Sequence, residues 1–300
     1  MQFSAFAPED IEIFTTTGYV VLRDAVPEAV VSEWVDWCEH RIEGWKQAHA
    51  SSMPPVLRLA PILGFDVRDV APRIWDAAMD LLGGPDRVVD RADMTDGFII
   101  NSPLSVSQLS FEEACSLWQV PRPDSREWHI DGDWFRHFLD SPEWNLTALI
   151  SWTESRSKSG ATLVVPRSQA LISRYLLEHP EGIDRFNFGS LLEDHFEWAE
   201  VEMLSGDVLF LHPHLLHCSS QNVSRSQRII SSCMFDSRVP LTLGAGTVHS
   251  PVEEAILRGI GRESISFQRT RDVEYASSKR AVDYQQTLTA ERETLRRLLS

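Results

Sequence analysis

Gly206-Asp207-Val208-Leu209-Phe210-Leu211-His212-Pro213-His214-Leu215-Leu216-His217 carries the pattern on which the fold turns. Gly206-Asp207 makes a tight turn, and the apolar run from Val208 to Leu211 is a strand. His212 ends that strand, because Pro213 has no N–H and disturbs the ladder. Outward from this segment the same grammar repeats. From about residue 88 the chain is a series of short strands, at 98–101, 116–120, 128–131, 146–152, 162–165, 198–203, 208–211 and 229–235, each bounded by Gly, Pro, Asn, Asp or Ser. Roughly eight such strands after a helical beginning predict a mainly β protein with flanking helices, built on a double-stranded β-helix of the jelly-roll or cupin-like kind.

The first 87 residues predict mostly helix. Pro8-Glu9-Asp10 opens a helix over 11–16, with acidic groups in its first turn and Gly18 as its stop. Residues 19–22 read as a strand, 28–45 and 71–82 as helices, and the Ser/Pro-rich stretch 51–61 as a loop. The last thirty residues read as helical, with Leu288, Leu295, Leu298 and Leu299 forming an imperfect apolar stripe. The expected organisation is one domain over 1–300: a helical preface to about 87, a barrel core over 88–240, and a helical tail over 241–300.

Composition excludes several function classes. With 28 Lys and Arg against 44 Asp and Glu, the formal charge is −16, which opposes binding to nucleic acid or an anionic membrane surface. No apolar run approaches the ~20 residues that span a bilayer. The four cysteines, Cys38, Cys115, Cys218 and Cys233, are far apart and lack a C-x-x-C pair, so a disulfide framework is not expected and a reducing cytoplasm fits. The first ten residues lack the cationic head and apolar core of a signal peptide.

Trp128-His129-Ile130-Asp131 is the segment with chemistry in it. On a strand, residues two apart point to the same face, so this imidazole and carboxylate can converge on one ion. Two histidines and a carboxylate form the ligand set of non-haem iron(II) oxygenases, leaving positions open for a bidentate 2-oxo acid and O2. H-x-D alone is a common triplet. The second histidine is one of His212, His214 and His217, and spacing does not choose among them. Arg228, eleven residues after His217, opens a strand-like run. If the chain turns at 222–227 and pairs back, its guanidinium is placed to grip the distal carboxylate of 2-oxoglutarate in a two-pronged bond. Arg225, in that turn, is the competing cation. Asp133, Trp134, Arg136 and His137 follow the ligand pair and are expected at the mouth of a substrate site, where Arg136 is placed to hold an acidic group. The competing reading makes Trp134 and Phe138 packing residues and Arg136 half of a surface ion pair.

The chain resembles the phytanoyl-CoA dioxygenase family of iron(II)/2-oxoglutarate oxygenases. The resemblance rests on four blocks in order: Gly18 to Asp24; Trp128 to Asp131; Gly160-Ala161-Thr162-Leu163-Val164-Val165-Pro166-Arg167-Ser168; and Gly206-Asp207 through His217, Ser219, Asn222 and Arg228. It implies that His129, Asp131 and His217 hold Fe(II), that His212 lies outside the ligand set, and that Arg228, assisted by Ser219, anchors 2-oxoglutarate. Gln119 is a weaker cofactor candidate. The implied co-substrates are 2-oxoglutarate and O2, and the implied partner is a small molecule, expected to be a secondary-metabolite intermediate. Related halogenases carry Gly or Ala where Asp131 stands, so the carboxylate implies hydroxylation, desaturation or oxidative cyclisation. Residues 41–59 and the tail after Arg238 match nothing in the family pattern. Two other readings are a zinc- or manganese-dependent isomerase or hydrolase of cupin type, which would not need Arg228, and a non-catalytic barrel used as a binding module.

Overall fold

The computed structural model describes residues 3–49, 53–104, 109–184, 187–193, 196–275, 291–292 and 294–296. Helix α1 (Pro8–Thr17) leads into strand β1 (Tyr19–Leu22), and α2 (Glu28–Ala48) follows. Then come β2 (Val56–Arg58), β3 (Gly64–Asp66), α3 (Val67–Val70), α4 (Pro72–Leu82), β4 (Asp93–Thr95) and β5 (Ile99–Asn101). After α5 (Phe111–Leu117), the second half holds β6 (Leu146–Ser151), β7 (Thr162–Val164), α6 (Ser168–Glu178), β8 (Ala199–Val201), β9 (Val208–Leu211), β10 (His217–Ser219), β11 (Arg228–Phe235) and α7 (Pro251–Ile260).

Two sheets face each other. The larger has the order β1-β9-β6-β11-β5-β2 and the smaller the order β10-β7-β8, with every pairing antiparallel; β3 and β4 form a separate hairpin. Period-two alternation divides the side chains of the larger sheet. Leu149, Leu209, Leu211 and Ile230 point inward and meet Val164 and Val201 of the smaller sheet in one apolar cluster. Their sequence neighbours Ala148, Ile150, Val208, Phe210 and Ile229 point outward into a second cluster, shared with α1, α2 and α4. The strands thus bury both faces, which is why they read as continuous apolar runs instead of alternating ones.

The jelly-roll architecture and outer helices agree with the sequence reading, and several elements differ. The preface is not all helix: β1 pairs with β9, and β2, inside the expected 51–61 loop, pairs with β5 at the sheet edge. Three residues preceded by Pro54-Pro55 are too short to show alternation. The expected strand at 116–120 is instead the end of α5 and an extended segment. Ser110 and Glu113 cap that helix reciprocally, an S-x-x-E signal present in the sequence. Residues 128–131 form no ladder; they make one bridge, His129 with His217. Helix α6 has no counterpart in the sequence reading, whereas α7 falls within the tail expected to be helical over 241–300, and Ser250-Pro251 and Glu253 give it the same kind of box. Of the expected tail helix, 291–292 and 294–296 are helical, with Leu295 buried; Leu288, Leu298 and Leu299 lie outside the described residues. No helix among the described residues is long and apolar enough to cross a membrane.

Candidate metal and co-substrate site

The bridge between His129 and His217 sets the site. Each backbone N–H donates to the other's carbonyl, at 3.1 and 3.0 Å, which brings the ring centroids to 4.5 Å. Asp131 lies two residues beyond His129, and one ligand atom from each of the three residues falls within 4.8 Å of the others. Among the described residues this is the one such group of three or more. Gly132 then turns the chain with φ +103°; a Cβ there would clash with the buried Phe135 ring. His137 stays out of the cavity and donates from Nε2 to the Gly132 carbonyl at 2.7 Å, bracing this turn.

Proton placement suits a divalent metal. His129 Nδ1 lies 2.6 Å from the Glu127 carbonyl and His217 Nδ1 3.1 Å from the Leu215 carbonyl. A carbonyl only accepts, so each Nδ1 carries the hydrogen and each Nε2 lone pair is left for an ion. Burial first, and the neighbouring His217 second, push His129 down to about 4, so it is neutral at physiological pH, as a ligand must be. Thr147 donates to Asp131 Oδ2 at 2.8 Å and orients the carboxylate. The other two histidines of the run are used elsewhere. His212 Nδ1 accepts from the His214 N–H and its Nε2 faces the Val252 carbonyl, while His214 Nδ1 meets Ser173 Oγ at 2.9 Å. These three donors, neutral imidazoles and an oriented carboxylate, fit iron(II).

Arg228 reaches the site by a route the sequence reading did not foresee. Strand β11 does not pair back on β10; it crosses to the larger sheet, between β6 and β5. The Arg228 side chain spans the barrel and donates from Nη2 to Thr162 Oγ1 on β7, at 2.5 Å. Thr162 is register partner to Ser219, and both stand on the inner face of the smaller sheet with His217. Arg228 is 1% exposed, and its Nε and Nη1 have no hydrogen-bond partner. Burial, with the charge of Arg58 added, pushes its guanidinium down to about 9. A cation buried with two idle donors is costly unless an anion joins it.

A cavity of about 650 Å3 opens onto the triad; His129, Asp131, His217, Thr162 and Ser219 line it, with Leu59, Phe98, Trp144 and Met234 among its apolar walls. A second cavity of about 380 Å3 meets His129 and Asp131 from the Glu127 and Val56 side. Asp133 and Trp134 stand on the wall of the larger cavity. Arg136 does not: it is buried beneath the loop, bonded to the Glu181 carbonyl and paired with Asp184 and Glu274, so its role is to hold the fold and not an acidic substrate. Gln119 is exposed and off both cavities, its N–H on the Gln221 side chain. Arg225 lies on a separate surface cavity. Thr147, Thr162 and Arg58 are the site residues that sequence reasoning missed; only the pairing of strands reveals them.

The far end of the chain braces the cavity wall. Trp134 stacks on Tyr275 at 5.6 Å, Tyr275 bonds Glu143, and the Arg136 N–H donates to the Glu274 carbonyl. Arg269 adds an ion pair to Asp140. Behind Leu59 and Pro61, the buried Arg41 joins Asp96 (2.5 Å), Glu291 (2.6 Å) and the Ala60 carbonyl.

The phytanoyl-CoA dioxygenase (PhyH) family pattern matches residues 14–230. The chain belongs to the phytanoyl-CoA dioxygenase family. It is therefore an iron(II)/2-oxoglutarate-dependent oxygenase, with O2 as its second co-substrate. No curated protein sequence matches this PhyH member. Among solved structures, it is similar to SnoK, a non-haem α-ketoglutarate-dependent carbocyclase from nogalamycin biosynthesis, at 16% identity over 92% of this chain and 100% of that one, TM-score 0.49. It is similar also to HygX from Streptomyces hygroscopicus, with nickel and 2-oxoglutarate bound (17% identity, 78% and 88% coverage, TM-score 0.44), and to AviO1 from Streptomyces viridochromogenes Tue57 (15%, 80% and 98%, 0.48).

Proposed function

We propose that His129, Asp131 and His217 hold the iron, that Arg228 with Thr162 and Ser219 holds the distal carboxylate of 2-oxoglutarate, and that the enzyme oxidises an unactivated C–H bond of a small molecule, a secondary-metabolite intermediate, by hydroxylation, desaturation or cyclisation. The observation that carries this reading is the buried Arg228 guanidinium with two unused donors, inside a barrel that also carries the His-Asp-His cluster. A metal-dependent isomerase or hydrolase has no use for that cation, and a barrel kept only for binding has no use for the ligands.

When bound, the iron supplies the oxidising chemistry of the reaction with O2. The chain does the rest. Thr147 fixes the Asp131 carboxylate, and the Glu127 and Leu215 carbonyls fix both imidazoles. Arg228 sets the keto acid's orientation by gripping its far end. Leu59, Phe98, Trp134, Trp144 and Met234 give the substrate an apolar bed and exclude water around the bond to be broken.

Two measurements test this. Anaerobic iron(II) and 2-oxoglutarate together should produce a weak visible absorption band that neither gives alone and that His217→Ala abolishes. Oxygenated protein should release succinate in an iron-dependent manner. A protein that binds iron but shows neither result refutes the oxygenase reading.

A further inference from the structure

Trp144 holds its backbone at φ +45°, in the left-handed region that a residue with a bulky side chain rarely adopts. The contacts around the turn impose that conformation. The Trp144 N–H donates to Asp236 Oδ1 at 2.8 Å, directly after β11, and Asn145 Nδ2 donates to Ser237 Oγ at 2.7 Å. The Ser237 and Leu241 N–H groups donate to the Pro142 and Asp140 carbonyls, at 2.8 and 3.0 Å. These bonds fasten the turn against the preference of its own tryptophan, as happens where strain serves a site.

What the strain achieves is position. Trp144 lines both cavities, beside His129, Asp131 and Asp133 where the two meet. Its ring lies 5.7 Å from that of Trp134 with 68° between the planes, so the two indoles form a corner on the wall of the large cavity. Trp134 is backed by Tyr275, stacked at 20°, and Phe135 meets Trp144 at 79°. Both tryptophans remain partly exposed.

We infer that this corner binds a planar unsaturated ring of the primary substrate, and that Trp144 is the specificity residue that fixes the ring's orientation toward the metal ligands. The inference rests on the function proposed above and deepens it by naming the substrate class. Aliphatic walls bury a substrate through area alone, and Leu59 and Met234 already do so in this chamber. Two indoles at a steep angle add something that area does not. Their quadrupoles favour one ring face stacked and one ring edge met, which separates a flat ring from a puckered one of the same bulk. A cavity of about 650 Å3 has room for such a ring beside the keto acid. A ring held on two sides presents the same carbon to the metal at each turnover.

The test uses nickel(II)-loaded full-length protein saturated with 2-oxoglutarate, and calorimetric binding of probe pairs that differ only in ring unsaturation. These are naphthalene-2-methanol against decahydronaphthalene-2-methanol, and 3-phenylpropanol against 3-cyclohexylpropanol. One aromatic contact adds about fivefold to affinity beyond apolar burial, so in the wild type at least one flat probe should bind about fivefold or more tightly than its saturated partner. Trp144→Leu should bring that ratio below about twofold, and Trp144→Phe should leave it between the two. The affinity for 2-oxoglutarate should change less than threefold in both variants. If no flat probe is preferred, or if Trp144→Leu keeps the wild-type ratio, the inference is overturned. If both variants lose 2-oxoglutarate affinity by more than tenfold, Trp144 only supports the fold and the inference is again overturned. Should Trp144→Leu alone lose it, Trp144→Phe decides, and an unchanged ratio there overturns the inference. Wild-type binding of 2-oxoglutarate is read before any probe is added; its failure removes the function proposed above and this inference with it.

Discussion

Replacing Arg228 by methionine should move two quantities in opposite directions. In the wild type the guanidinium has two donors, Nε and Nη1, without partners. Hydrogen bonds to charged groups contribute about 1.5–3 kcal/mol each, so losing two costs about 3–6 kcal/mol of 2-oxoglutarate binding. At 1.4 kcal/mol per tenfold, Kd should rise roughly a hundred- to ten-thousandfold. Stability without the keto acid should respond differently. Burial depresses the guanidinium to about 9 from the usual 12.5, so the isolated charge burdens the free protein by several kcal/mol, at about 1.36 kcal/mol per pH unit. Methionine fills similar space without that charge, at the loss of one bond to Thr162. Differential scanning fluorimetry of nickel-loaded protein reads both effects. Wild-type Tm should rise with 2-oxoglutarate; Arg228→Met should start at an equal or higher Tm and not respond. A variant that binds the keto acid within threefold of wild type, or that melts well below it while still responding, would falsify the account.

Arg41→Leu should destabilise by about 3–5 kcal/mol in urea unfolding, because it strands the buried carboxylates of Asp96 and Glu291; a loss under 1 kcal/mol contradicts the burial of that cluster. Thr147→Val leaves Asp131 without its orienting hydroxyl, and iron affinity by competition titration should fall about 10- to 100-fold with the fold intact. Unchanged affinity would deny Thr147 that role. His212 is held neutral by burial, at about 4 against 6.5 when unfolded. The unfolded chain therefore takes up this proton first, and stability is lost as pH falls from 6.5 to 4, by about 3 kcal/mol from this group. His212→Gln should flatten the stability–pH slope in that window by one proton, and an unaltered slope removes His212 from the acid response. Gly132→Ala should lower both iron affinity and Tm, since its left-handed turn and the Phe135 contact allow no methyl group; a variant that matches wild type in both would show the turn to be tolerant.

The strands that read clearly in the sequence are those buried on both faces, such as 146–151 and 208–211, which are mostly apolar and buried at every residue. Short edge pieces did not: β2 offers three residues, one of them charged, and gains its structure from pairing with β5. The His129-x-Asp131 pair was legible because local geometry brings the two together whatever the rest does. Spacing alone left His217 and His212 undecided and the family resemblance chose His217; the bridge at His129 gives the physical reason, and the crossing of β11 to the opposite sheet shows how Arg228 reaches the site. Arg136 misled for the same reason. Its position after the ligand pair suggested the cavity mouth, but the backbone turn at Gly132 sends it beneath the loop, toward Asp184 and Glu274. Side-chain destinations set by long-range pairing leave no local mark.

The brace that Tyr275 and Glu274 apply behind Trp134 lies beyond the span that defines the family, which ends at residue 230. A ribosome emits His129, Asp131, His217 and Arg228, the residues proposed to hold the iron and the keto acid, well before it emits this strap, so the cavity wall at Trp134 is braced only after they are made. Damage at the chain's end, whether a premature stop codon or a protease cut, should therefore alter what the enzyme accepts before it alters the grip on its co-substrate.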